Sequence, residues 1–303
     1  MSFDTDKILD RRKLKRSRAW WRFFALVTVV ILAILAVGRL DDLNGRRHIA
    51  ALNVTKIIVD DRDRLGLLKK IADDSSVEAL IININSPGGT VVGGESLYRA
   101  LREIAKHKPV VAVMREIATS AGYMIALGAD HIVAHQSTIT GSIGVLMQST
   151  DITGLLDKLG IKPEIIKSSS LKAQPNPLEP FSDDARRATK EIISDMQDMF
   201  VGLVKSRRNL DDAKASLVAD GRIFTGRQAV KNGLVDEIGG EAVAVTWLET
   251  EKKLTKDLPI IEMSVDARVG ILGKLLEDLV GKASFSERLR LDGLISLWQL
   301  GVK

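Results

Sequence analysis

Ser120 lies in Ala118-Thr119-Ser120-Ala121-Gly122, which differs from the G-x-S-x-G nucleophile elbow only by alanine in the first glycine position. The flanks match an elbow. Pro109-Val110-Val111-Ala112-Val113 is a short β-branched run bounded by proline and reads as a buried strand, whereas Ala121 to Ala129 is rich in Ala, Met and Leu and reads as a helix. A hydroxyl at that junction sits beside unpaired helix N-terminal amides, which favour developing negative charge. The competing reading of an isolated serine there is a helix N-cap. A second stretch, Ala79-Leu80-Ile81-Ile82-Asn83-Ile84-Asn85-Ser86-Pro87-Gly88-Gly89-Thr90, runs a buried strand into a Pro-Gly-Gly bend and then into a helix with Leu97, Ala100, Leu101, Ile104 and Ala105 on one face. On its own that bend is a plain turn. Beside a serine elbow it supplies what acyl transfer needs, because glycine lets a backbone N–H approach a reacting oxygen and an oxyanion hole needs two such donors. The N–H groups of Gly89 and Ala121 are the candidates. His135 follows Ser120 closely and invites a Ser-His-Asp reading.

Together the two stretches resemble the Clp protease and crotonase superfamily, in which a Ser-Pro-Gly-Gly turn and a strand–Ser–helix elbow form an acyl-transfer site. Thr138-Ile139-Thr140-Gly141-Ser142-Ile143-Gly144-Val145 further resembles the signature of the signal peptide peptidase A family, protease IV type. That resemblance implies that His135 is not catalytic and that the base is a lysine in a Lys-Ser-x-x-x-Lys pattern. Lys167-Ser168-Ser169-Ser170-Leu171-Lys172 places it at Lys172, with Lys167 as the fallback; serines stand here where the family usually carries glycine. A lysine acts as a base only when neutral. Its reference pKa is about 10.4 and a working base sits near ~7–8, a shift that desolvation supplies. Lys172 would take the Ser120 proton, Ser120 would attack the peptide carbonyl, Gly89 and Ala121 would hold the oxyanion, and Lys172 would return the proton to the leaving amine. Ser142 or Thr140 would orient the lysine.

The composition narrows the alternatives. The chain has no cysteine, which excludes a thiol nucleophile, a disulfide framework and a thiolate zinc site. It also has no His-Glu-x-x-His, and no metal or cofactor is expected. Net charge is +5, but much of it comes from the first 22 residues, so it is not a nucleic-acid footprint. Residues 1–18 form a basic tail. Residues 19–40 contain Trp20-Trp21-Arg22-Phe23-Phe24 and then an uncharged run to Gly38, the length and interfacial chemistry of a spanning helix. Eight basic residues up to Arg22 against three just after the span (Arg39, Arg46, Arg47) place the N-terminus in the cytoplasm and the rest outside it. The alternative is a signal peptide cleaved near Ala36-Val37-Gly38.

Residues 45–250 are expected to form one domain, in which alternating strands and helices from residue 48 to 240 argue for an α/β fold with mostly parallel pairing. Strands are expected within 48–59, at 130–134 and between Gly160 and the Lys172 motif, and helices over 65–72 and 151–160. Ser182 caps a long helix whose apolar stripe (Ala185, Ala188, Ile192, Met196, Met199, Leu203, Val204) marks a core or subunit-interface face. Thr225-Gly226-Arg227-Gln228 is a capping box, and its helix stops at Gly233-Leu234. His131 reads as a packed histidine and not a ligand. Residues 251–303 form a C-terminal extension with an amphipathic helix around Val269–Val280 and a short apolar end at Leu294–Trp298.

The family resemblance spans about Glu78 to Gly240 and sharpens the fold to the Clp/crotonase-like β-α superhelix. It further implies a homo-oligomer in which the serine and lysine of one site come from adjacent subunits. The substrates it implies are residual signal peptides and short apolar peptides at the outer face of the bacterial cytoplasmic membrane. Two alternatives stand beside this: a crotonase-like acyl-CoA enzyme, and a non-catalytic scaffold that binds peptides at the membrane.

Overall fold

The apolar run of β2 (Val77–Ser86) is buried along nearly its whole length, as a strand covered on both faces must be. It is the centre of the molecule. The computed structural model describes residues 20–31, residues 47–264 and the backbone of Ile295–Leu297. A first unit, Met1–Arg47, contains helix α1 (residues 20–31). In α1 the rings of Trp20, Phe23 and Phe24 cluster at 5.8–6.2 Å, and the Thr28 hydroxyl donates to the Phe24 carbonyl at 2.8 Å. Among the described residues no helix is long and apolar enough to cross a membrane; residues 19 and 32–40 of the expected anchor lie outside them.

The second unit is a mixed α/β fold built on one sheet. Its strands are β1 (His48–Thr55), β2, β4 (Val110–Thr119), β5 (His131–Ala134), β6 (Ile139–Gly141), β7 (Ile223–Thr225), β8 (Glu237–Ile238) and β9 (Ile260–Met263). The order is β7-β6-β4-β2-β1-β9, with β5 on the other reach of β4 and β8 beside β5. Every pair in this sheet is parallel except β6–β7. A short strand β3 (Gly88–Thr90) leaves the sheet after β2 and pairs antiparallel with β10 (Ile295–Leu297).

Alternation along the strands sorts the core into two layers. Leu80, Ile82 and Ile84 face the larger layer, with Leu68 and Ile71 of α2 (Arg62–Asp73), Leu97, Leu101 and Ile104 of α3 (Val91–Ile104), and the whole of α4 (Ala121–Ala126). Ala79 and Ile81 face the opposite layer, closed by Ala244 and Leu248 of α9 (Glu241–Thr250). The long helix α6 (Asp183–Arg208) starts where the Ser182 hydroxyl accepts the Ala185 N–H at 3.2 Å and ends at Asn209 with φ 51°. It buries only Ala185, Phe200 and Val204; Ile192, near the middle of the expected stripe, is exposed. After α7 (Asp212–Val218) the Thr225 capping box opens α8 (Gly226–Lys231). The Leu234 N–H then reaches back to the Ala229 carbonyl at 2.8 Å, past Gly233 at φ 76°.

One expectation changes and another is not reached by the described residues. The strand expected between Gly160 and the Lys172 motif does not form: after α5 (Thr153–Lys158) residues 161–166 are irregular and exposed, and among the described residues no strand pairs with them. The amphipathic helix at 269–280 lies outside the described residues.

Candidate active site

Ser120 stands between β4 and α4 with φ 57° and ψ −119°, a conformation that side chains other than glycine's seldom take. It is held there by its own backbone. The Ser120 N–H donates to the Gly141 carbonyl at 2.9 Å, and the Ser120 carbonyl accepts the Met124 N–H at 2.9 Å. Its side chain makes no capping bond to α4, so the N-cap reading does not hold. Close packing around the turn needs small residues. A Cβ on Gly122 would come within 3.1 Å of the Ser86 carbonyl, and one on Gly141, at φ 85°, within 2.7 Å of the Phe224 ring.

The Pro-Gly-Gly bend is tied directly to this elbow. The Thr119 hydroxyl, one residue before Ser120, donates to the Pro87 carbonyl at 2.9 Å. The Ser86 hydroxyl donates to the Lys56 carbonyl at 2.5 Å and accepts the Gly88 N–H at 3.1 Å. Gly88 has φ 118°, open to glycine alone. On one edge of β3 the Ile58 N–H donates to the Gly88 carbonyl and the Thr90 N–H to the Ile58 carbonyl, each at 2.8 Å. Successive backbone groups of a strand alternate in direction, so the Gly89 N–H faces the opposite edge. A side chain at Gly89 has no room: its Cβ would lie 1.8 Å from the Ile58 oxygen. Ala121 is buried, and as the first residue of α4 its N–H has no acceptor in the helix.

Thr140 and Ser142 flank the carbonyl that fixes Ser120. Thr140 is buried and its hydroxyl donates to the Ala118 carbonyl at 2.7 Å. Ser142 is nearly buried, has φ 50°, and its N–H donates to the Arg222 carbonyl at 2.8 Å. Behind the elbow, buried Tyr123 donates to the Leu234 carbonyl at 2.9 Å, and burial pushes its phenol well above the ordinary range. Beyond it lies Asp236. Burial pushes the Asp236 carboxyl up, but the hydrogen bonds and charge of Arg208, the Ile132 N–H and His131 outweigh it and hold the group below the usual range.

Lys172 is not in this cluster within one chain. It is exposed on a turn, and its ammonium makes no hydrogen bond or ion pair among the described residues. Lys167 is committed elsewhere: its ammonium donates to Glu179 at 2.6 Å and to the Ser170 carbonyl at 3.3 Å. The Lys167 hydrogen bond, then that of Asn176, holds the Glu179 carboxyl below its ordinary value. The fallback lysine is therefore a strut of the segment that carries Lys172. His135 is exposed, its N–H donating to the Thr138 hydroxyl at 3.0 Å, and His131 stacks on Trp247 with ring centroids 4.6 Å apart. A polar cleft of about 490 Å³ elsewhere on the sheet is lined by Asn53, Asn83, Arg115, Glu241 and Glu262 but not by Ser120. Thr119 is the contributor that the sequence reading passed over, since a threonine beside an elbow carries no pattern of its own.

The description of peptidase family S49 matches residues 102–255. The chain is 37% identical over 230 residues to a putative signal peptide peptidase SppA of Enterococcus faecium, covering 74% of this chain and 67% of that protein. It is 37% identical to a putative protease of Synechocystis, covering 70% of this chain and 77% of that one. It is 32% identical to Protease 4 of Haemophilus influenzae, covering 79% of this chain and 41% of that one. A solved mutant of a membrane-bound stomatin-specific protease superimposes with a TM-score of 0.47 at 15% identity, over 72% of this chain and 98% of that one.

Proposed function

We propose a Ser–Lys peptidase mechanism at a membrane surface for this chain, which belongs to peptidase family S49 and is a serine peptidase. The observation that carries the reading is the strained Ser120 elbow, laced through Thr119 to the bend that presents Gly89. A peptide carbonyl there is attacked by Ser120 Oγ while the N–H groups of Gly89 and Ala121 take the charge that develops on its oxygen. Lys172, contributed by a neighbouring copy, removes the Ser120 proton and returns it to the departing amine; water then hydrolyses the acyl-serine by the same path in reverse.

Support for the neighbour comes from the arm that carries Lys172. Leu155, Leu159, Ile161, Ile165, Ile166 and Leu171 are all exposed on it, Ile166 at 94%. So much aliphatic surface on one segment is a docking face, and burying it against a second copy also desolvates the amine, which favours its neutral form. Ser142 and Thr140, beside the elbow, are placed to orient it. The assembly is accordingly a homo-oligomer of Clp/crotonase-like subunits.

Helix α1 supports an anchor. Trp20, Trp21, Phe23, Phe24, Leu26, Val29, Val30 and Ile31 are exposed around it, and a helix apolar on all sides suits lipid. The basic tail before it orients the catalytic unit to the extracytoplasmic side of the cytoplasmic membrane. The substrates are residual signal peptides and short apolar peptides, in keeping with the name of the E. faecium relative. The test is hydrolysis of an apolar reporter peptide together with labelling by a serine-reactive phosphonate. Wild type hydrolyses the peptide and is labelled at Ser120, whereas Ser120→Ala and Lys172→Ala lose turnover. Full activity in either variant would defeat the reading.

A further inference from the structure

The face of the sheet that α9 covers changes character where that helix begins. Ile49 of β1, Ala79 and Ile81 of β2, and Val111 and Val113 of β4 lie on that side as the smaller core layer. Further along the same strands, on the same side, stand Asn53, Asn83 and Arg115. With Glu241, the first residue of α9, and Glu262 of β9 they line the polar cleft of about 490 Å³. That is the size of a small-ligand site, and the carboxyl ends of parallel strands are where such sites gather.

The cleft has an acceptor end and a donor end. Asn53 and Asn83, opposite one another on β1 and β2, give their amide N–H groups to Glu262 and Glu241, the latter at 3.3 Å. A carboxylate can only accept, so the Asn83 oxygen is turned away from Glu241. Asn83 is only 8% exposed, and its buried oxygen has no hydrogen-bond partner among the described residues. Neither Glu241 nor Glu262 has an ion pair among them. Buried acceptors are normally paired, so this end asks for a donor, and the two carboxylates favour one that is positively charged. At the other end the Asn85 oxygen accepts the Ile117 N–H at 3.3 Å, which leaves its NH2 to donate. The Arg115 guanidinium beside it has no carboxylate partner among the described residues.

We propose that this cleft binds a short peptide by its two free ends. The ammonium lies against Glu241, Glu262 and the Asn83 oxygen, and the carboxylate against Arg115 and Asn85. Strand spacing sets the length. β1 and β4 are two strands apart, about 10 Å, and two to three extended residues cover ~7–10 Å. A free amino acid carries both charges on one carbon and cannot bridge the ends. Short peptides with free ends are what a peptidase releases, so the cleft is a site for products of this class of reaction, apart from Ser120.

The test is calorimetric titration of trialanine into the full-length Ser120→Ala chain in detergent micelles, which cannot consume the peptide through Ser120. Saturable binding is expected. It should weaken by about 10-fold or more when Arg115→Gln or Asn83→Leu is added, and likewise when trialanine is acetylated at its amino end or amidated at its carboxyl end. Arg115 is exposed, so its replacement leaves the core intact whatever Asn83→Leu does to folding. No binding of trialanine, equal binding of the blocked forms, or binding unchanged by Arg115→Gln overturns the inference. Tighter binding of free alanine than of trialanine overturns it as well. None of these results touches the Ser120 reading, which is judged on hydrolysis by wild type.

Discussion

Replacing Ser120 by glycine should make the protein more stable than replacing it by alanine, although both changes remove the nucleophile. The reason is the backbone. At φ 57° and ψ −119° a residue with a Cβ is strained, at a typical cost of about 1–3 kcal/mol. Alanine keeps that strain and glycine relieves it. Against the relief stands the greater freedom of glycine in the unfolded chain, worth about 0.5–1 kcal/mol. The difference leaves the glycine variant ahead by about 1 kcal/mol, or about 2–4 °C in melting temperature for a domain of this size. Thermal melts of the two full-length variants, followed by near-ultraviolet circular dichroism, read this difference directly. A glycine variant that melts at or below the alanine variant would show that the elbow stores no strain, and the backbone reasoning would fail.

Gly89→Ala forces its Cβ to within 1.8 Å of the Ile58 oxygen unless the backbone moves, so the Gly89 N–H must leave its place. Peptide hydrolysis is expected to fall by about 10²–10³-fold, measured as kcat on the reporter. Tyr123→Phe leaves the Leu234 carbonyl buried without its donor and should cost about 1–2 kcal/mol in denaturant unfolding. Asp236 is held below the ordinary carboxylate range, so its contribution is present above the unfolded value of about 3.9 and is lost as pH falls through the folded value. Asp236→Asn should therefore be less stable than wild type at neutral pH and show a shallower loss of melting temperature on acidification below about pH 4.

What the sequence disclosed follows from what is local in it. The β-branched runs of β2 and β4 sit between turn residues, and burial on both faces leaves them no other home. The Ser182 cap and the Thr225 capping box form as their spacing requires. The elbow pattern located Ser120, but only the folded chain shows that its hydroxyl makes no capping bond to α4 and that its backbone is strained. What stayed hidden is long-range. Nothing near Gly89 foretells that Ile58 closes one edge of β3 and that residues 295–297 take the other. The stretch 161–166 misled because Ile161, Ile165 and Ile166 look like a strand's residues, yet among the described residues no strand pairs with them and they stand exposed. Lys172 is legible only through the motif around it. Within one chain its surroundings are those of a surface lysine.

The shared site is tested most directly by mixing Ser120→Ala with Lys172→Ala, each inactive alone, after dissociation and reassembly in equal amounts. With serine and lysine drawn from neighbouring copies around a closed ring, random assembly makes about one site in four complete, so about a quarter of wild-type turnover should return. No recovery in an assembly shown to contain both variants would contradict a site built across subunits.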